Sequence, residues 1–288
     1  MNRFDYSIMI DNTARYKYFR DNEAKVWKSR FAWHGEHGDG SYPNINVVSF
    51  LKEHDIDFNA AFKAECFKVS SMFNVLDKMA DEYVAWSFMK NKNFIDLYPE
   101  DDTRLEGLRT SLRNHFIGCI GEFFFCFLLN DRKEFLVPYN IGDREKTMVN
   151  FSNVSPRLDN EDDFGVDLVG DIEYIDQHNT CAIQVKFWRP VCKNPDSTAK
   201  ERMFTNDMAS GVYTDGVLNG IIDNDSKKSL VVCWTLKEEN LSRWLLRNTK
   251  LSSKMMFIDM STLHTKIDGK SPEFWSQLKE NLNTIKTY

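Results

Sequence analysis

Four residues near the middle of the chain have the types and spacing to do chemistry: Glu122, Asp167, Gln184 and Lys186. Glu122 is the only charged residue in FIGCIGEFFFCFLL, Phe116 to Leu129. An ionised carboxylate in such a run is costly unless a metal ion or another positive group meets it. Asp167 lies in FGVDLVGDIEYI, and Gln184 and Lys186 lie in TCAIQVKFW. Both segments have strand composition, and the turn-forming DQHN joins them. Alternate residues of a strand share a face. Ile183, Val185 and Phe187 therefore point one way, and Gln184, Lys186 and Trp188 the other. In the first strand Val166, Leu168 and Gly170 oppose Asp167 and Val169. Paired as an antiparallel hairpin, the two strands gather Asp167, Gln184 and Lys186 on one face and turn the other to the core.

That set suits a hard divalent cation of the Mg²⁺ type. Asp167 supplies anionic oxygen, Gln184 a neutral amide oxygen, and the backbone carbonyl of Val185 a further one. Lys186 can polarise water and stabilise negative charge on a phosphate. Glu122, on a helix beside the sheet, can reach the same site as another carboxylate. A purely structural reading stands beside this one. Asp167 is then a turn residue, Lys186 lies along apolar surface with its ammonium in water, and Glu122 partners a buried arginine.

The elements that must position these residues follow from the apolar pattern. Residues 44–90 have apolar positions at three- and four-residue steps, which predicts helices. The polar LYPEDDTR (97–104) is the best boundary, with a long helical segment after it, about 105–130. FLVPYN (135–140) reads as a short strand followed by a polar loop, and the strand pair comes next. Residues 197–218 are polar with helical stretches. KSLVVCWTL and MMFIDM read as strands, and EENLSRWLLRN and SPEFWSQLKENLNTI as helices. The expectation is an α/β protein with a mixed central sheet flanked by helices, preceded by a mainly helical N-terminal region. Its expected domains are 1–100, for recognition or dimerisation, and 101–288.

Composition fits a globular chain: 288 residues, 42% hydrophobic and 28% charged. The longest apolar run has 14 residues, short of the roughly 20 that span a bilayer, and MNRFDYSIMIDNTARY is too polar for a signal peptide. The six cysteines form no CxxC pair, so the expected setting is cytoplasmic, with no membrane. A net charge of −6 does not advertise a nucleic-acid binder, yet Arg15 to Arg30 carries six basic residues against two acidic ones, interleaved with Tyr16, Tyr18, Phe19 and Trp27. Arg15, Lys17, Lys25 and Lys28 are the candidate phosphate contacts, as are Arg189 and Lys193 after the second strand. A solvated helix with an aromatic core face has the same composition. His34 and His37 have metal-like spacing but no second ligand pair, and Glu161, Asp162 and Asp163 read as a solvated loop, with a second cation site as the alternative.

At Glu122, Asp167 and Gln184-Val185-Lys186 the sequence resembles the PD-(D/E)xK nuclease superfamily, with the restriction-endonuclease-like fold. Its pattern is a helix glutamate, a strand aspartate and (E/Q)xK on the next strand. GE on an apolar helix, then GVD, then IQVKFW look most like the Mrr-like branch, where Gln replaces Glu. Val166 stands where the pattern has proline, and Gln184 removes one negative charge from the site. The resemblance covers about 105–265. It implies a Mg²⁺-dependent DNA endonuclease, with Mn²⁺ as a substitute, of restriction or defence type. The partners implied are DNA and a second copy or another subunit. A catalytically silent DNA-binding or assembly subunit, or a junction-resolving or mobile-element nuclease, are the alternatives.

Overall fold

The computed structural model describes residues 12–33, 45–54, 69–91, 102–138, 145–158, 166–175, 177–187, 230–234, 255–258 and 272–287. Among these the chain is mixed α/β with a helical N-terminal region. The helices are α1 (Asn12–Asp21), α2 (Glu23–Arg30), α3 (Val47–Glu53), α4 (Val69–Lys90), α5 (Asp102–Arg132) and α6 (Pro272–Thr287). The strands are β1 (Glu134–Pro138), β2 (Lys146–Pro156), β3 (Leu168–Tyr174), β4 (Gln177–Lys186), β5 (Leu230–Trp234) and β6 (Met255–Ile258).

The sheet order follows the chain, β1 to β6. The first four strands form an antiparallel meander, and β5 and β6 extend it in parallel from β4. The outer strands β1 and β6 approach within 8 Å at Cα atoms, so the sheet curls and each end helps to shield the other. β4 is central, and Cys181 to Val185 are buried, as a strand covered on both faces must be.

Helix α5 organises the interior. Its first half is amphipathic, with Leu112 and Phe116 inward; from Cys119 to Leu129 it is buried almost all round. By length and apolarity alone Thr103–Arg132 could cross a membrane; here it lies across the core face of the sheet. One contiguous core joins Phe19 and Trp27 of the first two helices, Tyr83 of α4, the buried residues of α5 from Phe116 to Leu129, inward residues of β1 to β4 and β6, and Leu282 of α6. Residues from both sides of position 100 therefore share one interior.

Two sequence expectations change. The segment after FLVPYN, read as a polar loop, contains β2, an eleven-residue strand between β1 and β3. Arg15, expected at the surface among phosphate contacts, is buried at 8% exposure. Its Nη2 donates to the Pro156 carbonyl at 2.6 Å and its Nη1 to Ser155 Oγ. Together with Asn12, whose Nδ2 donates to the Asn153 carbonyl at 2.8 Å, it anchors α1 on β2. A guanidinium spent on buried acceptors is not offered to a phosphate.

Candidate metal and phosphate site

The β3–β4 register sets the site. Leu168 pairs with Ile183 and Val169 with Ala182, and the Asp167 N–H donates to the Ile183 carbonyl at 3.1 Å. Asp167 thus stands just before β3, opposite Gln184. The Gln184 amide Nε2 donates to Asp167 Oδ2 at 2.8 Å, and the Val185 N–H donates to the same oxygen at 2.7 Å. Asp167 and Gln184 therefore meet on one face, as the strand alternation predicts. Ile183, Val185 and Phe187 join the core on the other face. Gln184 is buried; Asp167 and Lys186 are partly exposed.

Helix α5 brings Glu122 to the same place. The approach depends on Gly121, since a Cβ there would lie 2.3 Å from the Phe187 Cβ and 2.6 Å from its Cγ. Phe187 ends the buried row of β4 and is wedged between Phe73, Phe124 and Phe125, with ring centroids at 4.8, 5.5 and 6.1 Å. Only a residue without a side chain lets the helix sit this close.

Glu122 meets a partner that sequence reasoning left unnamed. Arg30, the last residue of α2, places its Nη2 2.7 Å from Glu122 Oε2, with side chains 16% and 18% exposed. Burial raises the Glu122 carboxyl to about pH 7; Arg30 opposes that rise, Asp167 adds to it, and Arg157 opposes it. Burial works to lower the Arg30 guanidinium, but Glu122 and, less strongly, Asp167 outweigh it and leave Arg30 raised. The two directions are consistent. Arg30 has two carboxylates in reach, while each carboxylate must also bear the other. The charges acting on Glu122 are thus those of one other acid and two guanidiniums, and that acid, Asp167, is the one that holds Gln184. Arg157 also ties its backbone N–H to the Asp167 carbonyl at 3.1 Å. No local pattern flags Arg30 or Arg157, because pairing across 92 residues leaves no periodic trace.

The donors fit a hard cation. Glu122 and Asp167 supply anionic oxygen, Gln184 and the Val185 carbonyl neutral oxygen, and Glu122 is raised first by burial and then by the Asp167 charge, both of which a cation would offset. No cluster of three or more His, Cys, Asp or Glu side chains occurs among the described residues, so two carboxylates and an amide are the richest such set at this site. Of the expected phosphate contacts, Lys17, Lys25 and Lys28 are exposed along α1 and α2. Arg189, Lys193, His34, His37 and Glu161 to Asp163 lie outside the described residues.

Comparison with protein-family models, with curated proteins and with solved structures gives no match to this chain.

Proposed function

We propose that this protein is a metal-dependent DNA endonuclease of restriction or defence type, built on a restriction-endonuclease-like fold. The observation that carries the reading is the hydrogen bond that joins Gln184 to Asp167 on one sheet face at 2.8 Å, with the Asp167 charge also felt by Glu122 of α5. The order of a glutamate-bearing helix, a meander with Asp167 and Gln-x-Lys on adjacent strands, and a parallel extension also favours that fold. Glu122, Asp167, Gln184 and Val185 would hold Mg²⁺ or Mn²⁺, which when bound lowers the pKa of water and neutralises charge on phosphate. Lys186 shares the face of Gln184 by strand alternation and would orient water and stabilise charge on the phosphate. Lys17, Lys25 and Lys28 would contact flanking phosphates.

Plasmid nicking with Mg²⁺, Mn²⁺ or EDTA tests the reading. Cleavage should require the cation, and Asp167→Asn should lower it at least ~100-fold, since it removes one of only two anionic ligands. Cation-independent cleavage, or none under any condition, would remove the nuclease assignment. Replacing Lys17, Lys25 and Lys28 together should weaken DNA binding and flatten its salt dependence; an unchanged slope would return the patch to a solvated helix face.

A second reading has its own support. The Arg30–Glu122 pair already supplies Glu122 with a cation, as in a catalytically silent DNA-binding or assembly subunit. DNA binding that is indifferent to both Mg²⁺ and Asp167→Asn, without cleavage, would favour it.

A further inference from the structure

We propose that Arg30 is the residue that receives the substrate phosphodiester in this site, and that in the free protein Glu122 holds it in reserve. The inference rests on the nuclease reading and adds a substrate-binding residue from the N-terminal helices.

Three observations converge on Arg30. Its Nη2 is engaged by Glu122 at 2.7 Å, so the guanidinium stands at the carboxylates rather than in solvent. Asp167 also acts on it, which puts it within electrostatic reach of both anionic ligands. Its Nε–H is buried and has no hydrogen-bond partner among the described residues, a cost a folded chain rarely leaves in place without use. A guanidinium is a fork of five donors matched to carboxylate or phosphate oxygens, and this fork is not fully used by Glu122.

Charge balance says when the remaining donors find their acceptor. Two carboxylates, Glu122 and Asp167, are matched by two guanidiniums, Arg30 and Arg157, so these four groups balance when all are ionised. Adding a divalent cation leaves an excess of positive charge, which weakens the hold of Glu122 on Arg30. A phosphodiester, carrying one negative charge, then becomes the better partner for the fork. Arg30 turns from carboxylate to phosphate, and its Nε–H acquires an acceptor. Cation and DNA should therefore strengthen each other's binding.

The test uses the full chain, ¹⁵N-labelled, with a short DNA duplex and Ca²⁺ as probes. The Arg30 Nε–H resonance is identified by its absence in Arg30→Lys or, should that variant not fold, in the Arg30→Gln/Glu122→Gln double variant, which replaces the ion pair by two amides. Duplex and Ca²⁺ together should move the resonance downfield, and neither alone should do so. Arg30→Lys keeps a charge on Glu122 but loses the fork, so its melting temperature should stay near wild type. Its kcat for Mg²⁺-dependent cleavage should fall about 100-fold. An Nε–H signal that stays put while duplex and Ca²⁺ are bound, or wild-type cleavage by Arg30→Lys, overturns the inference and leaves the nuclease reading intact. Absence of both cleavage and Ca²⁺-dependent DNA binding in the wild type overturns the two together.

Discussion

Helix α5 carries two charged clusters that look alike on a list of distances and differ in physics. Near its start, Arg113 places Nη2 2.7 Å from Asp77 of α4 and also meets Asp81, one turn further along that helix. Further along, Glu122 meets Arg30, again at 2.7 Å. The side chains of the first cluster are 31%, 14% and 69% exposed, so water carries the surplus carboxylate. In the second, Arg30 and Glu122 are each below one-fifth exposed, and the further charges acting on Glu122, those of Asp167 and Arg157, come from the protein rather than from water. The first is a clamp between two helices. The second is a buried set of charges in which the Glu122 carboxyl is raised to about 7, a perturbation of the kind that gathers at functional sites.

Removing the arginine from each cluster should separate them most. Arg30→Met leaves Glu122 buried against Asp167 with its main counter-charge gone, and the loss should be about 3–5 kcal/mol at pH 8. Arg113→Met leaves Asp81 in water and Asp77, at 14% exposure, without its main partner, and should cost less than the Arg30 change, about 1–2 kcal/mol. Urea unfolding of both variants checks this, and equal losses would erase the distinction.

A smaller effect follows from the Glu122 carboxyl, raised by burial from an ordinary 4.5 to about 7. Below pH 4.5 the group is protonated in folded and unfolded chains alike and adds nothing. Between 4.5 and 7 the unfolded chain has lost a proton that the folded chain keeps, so stability falls as pH rises; above 7 the full cost is present. Its size is on the order of 3 kcal/mol, reduced by whatever solvent reaches the pair. Glu122→Gln should flatten that slope, and so should saturating Mg²⁺ in the wild type if the cation binds between Glu122 and Asp167. A slope that Mg²⁺ leaves untouched would argue that no cation sits there.

Much of this arrangement was legible in the sequence, and the remainder was hidden for identifiable reasons. Period-two alternation in VDLVGD and IQVKFW was enough to bring Asp167 and Gln184 to one face, because β3 and β4 run without a bulge and a short turn fixes their register. The same rule failed on β2. Val149 and Phe151 are two residues apart, but the next buried apolar residue, Val154, is three further on, within a register shift between Ser152 and Ser155. Asn153 sits there at φ 52°, and the broken alternation reads as loop. The isolated Glu122 announced a need for positive charge but not its source. Arg30 lies in a basic stretch where nothing distinguishes it from Lys25 or Lys28, which are exposed, or from Arg15, which is buried for another purpose. Partner choice across long sequence distances is decided by packing, and composition does not record it.

The finest test lies in two glycines three residues apart on the same helix. Gly118 has nothing within 4 Å of where a Cβ would be, so Gly118→Ala adds a methyl to open space and removes a flexible residue from a helix interior. It should be neutral, or stabilising by up to about 1 kcal/mol. Gly121→Ala gains the same helical preference but drives its methyl into Phe187 at 2.3 Å. That contact is with the Cβ of a residue locked among Phe73, Phe124 and Phe125, not with the free end of a flexible chain, so α5 itself must back away from β4. The net loss should be about 1–3 kcal/mol. The displacement also carries Glu122, the next residue, away from Asp167, while the Arg113 clamp two turns earlier stays in place. Ca²⁺ affinity, read by calorimetry on both alanine variants, should therefore fall for Gly121→Ala and hold for Gly118→Ala. If the two variants bind Ca²⁺ alike while differing in melting temperature, the close approach at Gly121 serves packing alone, and the cation does not depend on where α5 puts Glu122.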